Sequence, residues 1–268
     1  MSRPRLASKV ILVTGSATGI GKAIAKRCVE EGARVIIHGL EADLAAETVA
    51  GLGAGNAVAH VEDLTAEGCP QRLVELAVKT FGRLDAVVNN AAMVSQGNIH
   101  TTDAAFFMKM ISVNTLAPFL LIQAALAELE KTRGSVLNIG SVNAYSGEPN
   151  LLPYSISKGA LMTLTRNLGD TLMRENGVRV NQINPGWVLT ENEAKRKREH
   201  GLREDWYTDL PKVYAPAGRI LWPEEIAAAA VFWLADESGP VSGQVMDLEQ
   251  HPFIGRNPPK DSSTIPAK

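Results

Sequence analysis

Short runs of apolar, often β-branched residues alternate along the chain with longer stretches whose apolar positions recur every three to four residues. The short runs read as strands buried on both faces, the longer stretches as helices. The runs expected as strands are Val10 to Val13, Arg34 to His38, Ala57 to Val61, Leu84 to Val88, Ser135 to Ile139, Val178 to Ile183 and Gln244 to Leu248. Between them the pattern predicts helices from about Ile20 to Glu31, near Asp43 to Leu52, from Pro70 onward, over Asp103 to Met110 and Ser112 to Lys131, from Tyr154 to Asn176, and from Pro223 to Ala235. Gly32 and Gly177 stand where helices stop. This alternation predicts an α/β domain built on one doubly wound parallel sheet, with no linker, repeat or second domain in residues 1 to 268.

Two segments depart from the pattern. Between Glu191 and Pro211 there are eleven charged residues and few apolar ones apart from Trp206. Such a stretch is not expected in a core, and its place after a strand end suggests a substrate lid at 190 to 213 rather than a plain solvated insertion. The tail at 249 to 268 is rich in proline and polar residues and is expected to run over the surface.

Composition narrows the function classes. The 268 residues are 45% hydrophobic and 21% charged, with net charge -2 and pI about 6.2, giving no support for nucleic acid or anionic membrane as partner. No run of eighteen apolar residues occurs, so neither export nor membrane insertion is expected. Cys28 and Cys69 form no disulfide or metal-ligand pattern, and a cytoplasmic location without a metal is expected.

Candidate chemistry gathers in two places. The first is TGSATGIG after the first strand, where Gly15, Gly19 and Gly21 let the backbone turn tightly and approach a pyrophosphate at a helix N-terminus. Its Gly-x-x-x-Gly-x-Gly spacing matches the general dinucleotide fingerprint only in part. The second is Ser141 to Lys158. Tyr154 and Lys158 are four apart, so on a helix they share one face, and a nearby ammonium favours the phenolate. Ser141, at the end of a strand, can hydrogen-bond a carbonyl or alkoxide oxygen. A Tyr-x-x-x-Lys pair alone is a weak signal, and a surface pair is its ordinary explanation. NNAA, Asn89 to Ala92, lies at a strand end where ligands of open α/β sheets bind, and Asn114 is polar in an apolar setting, suited to bridging buried backbone groups.

Together TGSATGIG, Asp63 with Leu64, NNAA, Asn114, Ser141, Tyr154-x-x-x-Lys158, Pro185-Gly186 and the late GRI, PEEIA and SGQV segments resemble the classical short-chain dehydrogenases/reductases over about Lys9 to Leu248. The resemblance implies a Rossmann-type fold and an NAD(P)-dependent oxidoreductase acting on an alcohol or carbonyl. It implies Tyr154 as acid/base, Lys158 lowering its pKa and holding the nicotinamide ribose, Ser141 orienting the substrate oxygen, and Asn114 holding a relay water. Gly15, Thr18, Gly19, Ile20 and Gly21 would line the pyrophosphate, Asp63 and Leu64 the adenine, Asn90 the adjacent ribose, and Pro185, Gly186, Val188 and Thr190 the nicotinamide amide. A homo-oligomer, commonly a tetramer through the helices of Asn114 and Tyr154, is implied as well.

The chain also departs from the family pattern. Ala92 replaces the usual Gly, and Leu248-Glu249-Gln250-His251 stands where Val-Asp-Gly-Gly is common. At the end of the second strand Gly39 fills the usual acidic position and Leu40 the place where Arg is common, while Glu41 could reach a ribose and His38 a phosphate. The choice between NAD and NADP stays open at this point. Asn143, Tyr145, Ser146, Glu148 and Asn150 suggest a polar pocket wall, hence a sugar, polyol or hydroxy acid as substrate; Trp187, Trp206 and Met93 could line an apolar one. The competing reading is a dinucleotide-binding sensor or scaffold whose chemistry has lapsed.

Overall fold

A computed structural model describes residues 4 to 145, 147 to 252 and 254. Seven strands, β1 (Val10–Val13), β2 (Arg34–Gly39), β3 (Ala57–Val61), β4 (Ala86–Asn89), β5 (Ser135–Ile139), β6 (Arg179–Pro185) and β7 (Val245–Leu248), form one sheet in the order β3-β2-β1-β4-β5-β6-β7. All adjacent pairs are parallel. The helices are α1 (Gly19–Glu30), α2 (Ala42–Gly51), α3 (Cys69–Phe81), α4 (Ala104–Ile111), α5 (Ala117–Thr132), α6 (Leu152–Asn176), α7 (Glu191–Glu199) and α8 (Pro223–Leu234).

The unbroken apolar run of β1 follows from burial on both faces. Ile11 and Val13 join a core with Ile24 and Ala25 of α1 and Val231 and Leu234 of α8. Val10 and Leu12 point the other way, into a core with Leu73 of α3, Leu121 of α5 and Leu172 of α6. Strand order reverses direction between β1 and β4, which opens a crevice beyond the C-terminal ends of these strands. The glycine turn after β1 and the NNAA segment after β4 meet there.

Three expectations are corrected by the structure. First, the helices expected over 103 to 110 and 112 to 131 form a continuous helical stretch, α4 and α5 joined by a π-helical turn over Ser112–Leu116. The stretch Ala104–Thr132 is long and apolar enough to cross a membrane by length and composition, although its Leu121, Ile122, Ala125 and Leu129 lie in the second core. Second, the charged segment contains helix α7 and carries buried groups: Glu193 is buried and Trp206 is 5% exposed. The side chain of Thr190 caps α7 by accepting from the Glu193 N–H at 3.1 Å. Ser146, Phe253 and the tail beyond Ile254 lie outside the described residues.

The third correction concerns His38, which offers nothing to a phosphate. It is 2% exposed; its Nδ1 accepts from the Gly15 N–H at 3.3 Å, which leaves Nε2 to donate to the Glu62 carbonyl at 3.0 Å. Burial pushes its pKa down to about 4, so it is a neutral strut between the glycine turn and the end of β3. Between pH 6.5 and 4 the unfolded chain takes up a proton at this residue while the folded one does not, so folding stability falls as pH falls, by roughly 3 kcal/mol in all. His38→Asn is expected to flatten that part of the profile while lowering stability at pH 7. Denaturant melts of both proteins between pH 4 and 7 check this, and equal slopes would contradict it.

Candidate active site

Residues expected to bind the dinucleotide meet around the start of α1. Gly15 adopts φ +61, and a Cβ there would lie 2.8 Å from the Ala91 Cα. At Gly21 a Cβ would lie 2.3 Å from the Gly15 carbonyl oxygen. The turn therefore sits tightly against the strand that follows β4. Asn90 ties it further, its Nδ2 donating to the carbonyls of Thr14 at 2.9 Å and Gly15 at 3.0 Å. Thr18 and Gly19 begin α1, whose free N–H groups and positive dipole end suit an anion. An anionic oxygen does sit there: the Gly19 N–H donates to Glu191 Oε2 at 3.0 Å. A cradle that a Cβ would fill and an N–H engaged by a carboxylate fit a pyrophosphate, so the residues suit NAD(P).

Asp63 ends the run after β3 and folds back on itself, its Oδ1 accepting from the Thr65 N–H at 2.8 Å and hydroxyl at 2.7 Å, which holds its pKa below the usual carboxylate range. Leu64 beside it is buried. Gly39 ends β2, where a Cβ would lie 2.9 Å from the Ala17 Cβ of the glycine turn; next to it Leu40 is 63% exposed. His60, Glu62 and Cys69 bring possible metal donors within 4.8 Å of one another. Glu62 is clasped there by Arg72 Nε and a terminal nitrogen at 3.1 and 2.6 Å, and burial pushes the Cys69 thiol up to about 12. This group is an ion-pair cluster that braces the start of α3.

The catalytic candidates stand at the ends of β5 and α6. Pro153 in the first turn of α6 starts the helix just ahead of Tyr154. Tyr154 is 8% exposed and packs with Met110, Leu151, Met93 and Phe106. Burial is the largest influence on its phenol and raises its pKa, opposite to the effect expected of Lys158; the neighbouring Ser141 hydroxyl and the charge of Arg196 pull it down. Lys158 is buried one turn on, donates from Nζ to the Ile139 carbonyl at 2.7 Å, and lies 5.8 Å from the Tyr154 ring centroid. Burial pushes its pKa down to about 8. A phenol, a hydroxyl and an ammonium are thereby gathered at one point, where a proton can be exchanged with a substrate oxygen.

Asn114 sits in the π-helical turn, a feature often found at functional sites. Its Oδ1 accepts from the Met93 N–H at 2.8 Å, and its Nδ2 faces the Met93 carbonyl at 3.0 Å and Ser157 Oγ at 2.9 Å. The side-chain amide is thus engaged by protein groups, binding the segment after NNAA to α6.

Beyond β6, Pro185 closes the strand and Gly186 opens the turn to Trp187, whose N–H donates to Glu249 Oε2 at 3.1 Å. Val188 pairs with Leu221, and Thr190 begins α7. The Trp187 ring stacks on Trp206 with centroids 5.1 Å apart, and its Nε1 donates to Glu193 at 2.8 Å. Glu193 also holds Arg196, and the Lys197 ammonium lies 4.9 Å from the Trp187 ring centroid. Of the polar pocket wall, Asn143 and Tyr145 are half-buried while Glu148 and Asn150 are exposed.

A chain of buried amides that supports the site was not foreseen. Asn89 donates to Asn138 at 2.8 Å, Asn138 to Thr165 at 2.8 Å, Thr165 to Gln182 at 2.7 Å, and Gln182 to Asn184 at 2.7 Å. Asn184 Oδ1 also accepts the Ser141 N–H at 3.1 Å, and its Nδ2 donates to Asp247 at 3.0 Å. The signal was present as amides interrupting apolar strands, in SVLNIG and VNQINP. Such amides persist in a core when each finds a partner, and here they fix Ser141 from behind.

Comparison with known proteins gives the family. The family model described as enoyl-(acyl carrier protein) reductase matches residues 15–249. The chain is 36% identical to 2-(S)-hydroxypropyl-CoM dehydrogenase 3 of Xanthobacter autotrophicus over 248 residues, 91% of this chain and 96% of the relative. It is 34% identical to glucose 1-dehydrogenase 2 of Bacillus subtilis, covering 91% and 94%, and 36% identical to L-fucose dehydrogenase of Mus musculus, covering 87% and 84%. With a parallel sheet in this order and relatives matched over nearly their whole length, the chain belongs to the short-chain dehydrogenase/reductase family of oxidoreductases.

Proposed function

We propose that this enzyme transfers a hydride between NAD(P) and the carbinol or carbonyl carbon of a small polar substrate, a sugar, polyol or hydroxy acid, with Tyr154 as acid/base. The observation that carries the reading is the gathering of Tyr154, Ser141 and Lys158 at the crevice that also holds the glycine turn. The bound nucleotide supplies the hydride acceptor or donor. In oxidation, Ser141 holds the substrate hydroxyl and the Tyr154 phenolate takes its proton as the carbinol hydrogen departs; in reduction the phenol returns that proton to the nascent alkoxide. In this reading the Lys158 ammonium, 5.8 Å from the Tyr154 ring centroid, favours the phenolate alongside Ser141 and Arg196, against the effect of burial. Glucose and fucose dehydrogenases among the relatives, and Asn143 and Tyr145 near Ser141, support a polyhydroxylated substrate.

NAD is the preferred nucleotide in this reading. The end of β2 carries the exposed Leu40 and Glu41 with a neutral His38 behind them, which supports a carboxylate for a ribose rather than a cation for a 2′-phosphate. We further infer a homo-oligomer in the cytoplasm. Exposed Met108, Leu116 and Ile156, on the helices around Asn114 and Tyr154, support association, and the free, buried Cys28 and Cys69 suit a reducing compartment.

The test is a panel of sugars, polyols and hydroxy acids offered with NAD or NADP and followed at the nicotinamide absorbance band. Turnover of a member of the panel, at least tenfold more efficient with NAD, is the expected result. Binding of nucleotide without turnover of any alcohol or carbonyl would favour the sensor reading instead.

A further inference from the structure

The site contains an anion of its own. Glu191, the first residue of α7, reaches across the crevice to the N-terminal end of α1, where its Oε2 accepts from the Gly19 N–H at 3.0 Å. Thr190 comes with it: a Cβ placed on Gly19 would lie 3.3 Å from the Thr190 methyl and 3.8 Å from the Glu191 carboxylate. One N–H cannot hold both this carboxylate and a phosphate oxygen at full strength, and the two anions repel at such a separation.

We propose that Glu191 acts as an internal stand-in for the cofactor phosphate, a positioning residue that docks α7 on the glycine turn and is exchanged when a dinucleotide binds. The proposal rests on the dinucleotide reading of the glycine turn. Its consequences follow from where α7 is held. Glu193 fixes the helix to Trp187 at 2.8 Å, on the opposite side of the same turn of helix, and the Lys197 ammonium rests on the Trp187 ring, so releasing Glu191 frees the glycine-turn anchor and lets α7 pivot on Trp187. Binding of phosphate at Gly19 is thereby coupled to the segment that carries Arg196, whose charge bears on Tyr154. Part of the cofactor's binding free energy goes into expelling the carboxylate, so the wild-type protein holds nucleotide less tightly than the cradle alone would.

Glu191→Gln removes the charge with little change of shape, at an exposed position where folding is not at stake. Calorimetric titrations of the full chain and of E191Q with NADH, ADP and adenosine separate the possibilities. The proposal predicts that E191Q binds NADH and ADP about tenfold more tightly than wild type, while adenosine, which carries no phosphate, binds both proteins equally. It also predicts faster tryptic cleavage at Lys195 to Arg198 in nucleotide-free E191Q than in nucleotide-free wild type. Nucleotide affinities within twofold of each other, or equal tightening for adenosine, would overturn the exchange. Failure of NADH and ADP to bind either protein would overturn the nucleotide site beneath it, an outcome distinct from bound but unchanged.

Discussion

Tyr154→Phe is expected to lower kcat by about a thousandfold or more while leaving nucleotide affinity within about twofold. The phenol ring is packed by Met110, Leu151, Met93 and Phe106, contacts a phenylalanine ring retains, so the variant is expected to fold and bind as the parent does. What it loses is the phenol oxygen, the group proposed to exchange a proton with the substrate. Ser141→Ala is a useful companion because it removes the hydroxyl that lowers the phenol's pKa, and that is proposed to orient the substrate, but leaves the proposed acid in place, and its loss is expected to be smaller. Steady-state kinetics and NADH titration of both variants check the division of roles. Full activity in Tyr154→Phe would remove the acid/base assignment.

Gly21→Ala is expected to weaken dinucleotide binding by about a hundredfold and to lower the melting temperature by several degrees. The added methyl would lie 2.3 Å from the Gly15 carbonyl oxygen, 2.9 Å from its carbon and 2.5 Å from Asn90 Nδ2. None of these can yield cheaply. Asn90 is tied to the carbonyls of Thr14 and Gly15, and the turn is backed by His38 at the Gly15 N–H. The turn must open, which moves the N–H groups at the start of α1 away from the place proposed for the pyrophosphate. Titration with NADH and a thermal melt read the two effects, and unchanged affinity would show that this turn does not carry the nucleotide.

Much of this architecture was legible from the chain because parallel strands buried on both faces announce themselves as continuous apolar runs. β1, β3 and β5 fall where the pattern put them, and other ends moved by one or two residues, as where the helix of Tyr154 starts at Leu152. The glycine turn and the Tyr154 and Lys158 pair were readable because their spacings are fixed by turn and helix geometry. The buried side of α7 was not, since a charge-rich segment looks wholly solvated; Glu193 and Trp206 both meet Trp187, which lies before the helix begins, so helical periodicity does not reveal the contact. The helix over Ala104–Thr132 read as two because local periodicity slips at the π-helical turn, which adds a residue without breaking the rod. His38 was misjudged for a related reason. An imidazole at a strand end looks available to a ligand, and only its burial between the glycine turn and Glu62 commits it to a neutral, structural part. Glu191 likewise reads as one more lid charge until the fold brings it to Gly19.

The most direct test of the central claim follows the hydrogen itself. An active substrate from the sugar and polyol panel, deuterated at its carbinol carbon, would be incubated with wild-type enzyme and NAD, and the reduced nucleotide examined by mass spectrometry. Direct hydride transfer with Tyr154 as base predicts one deuterium at the nicotinamide C4 of each reduced nucleotide, and no reduced nucleotide above background with Tyr154→Phe. Reduced nucleotide carrying hydrogen from water, or equal deuterium transfer by Tyr154→Phe, would contradict it.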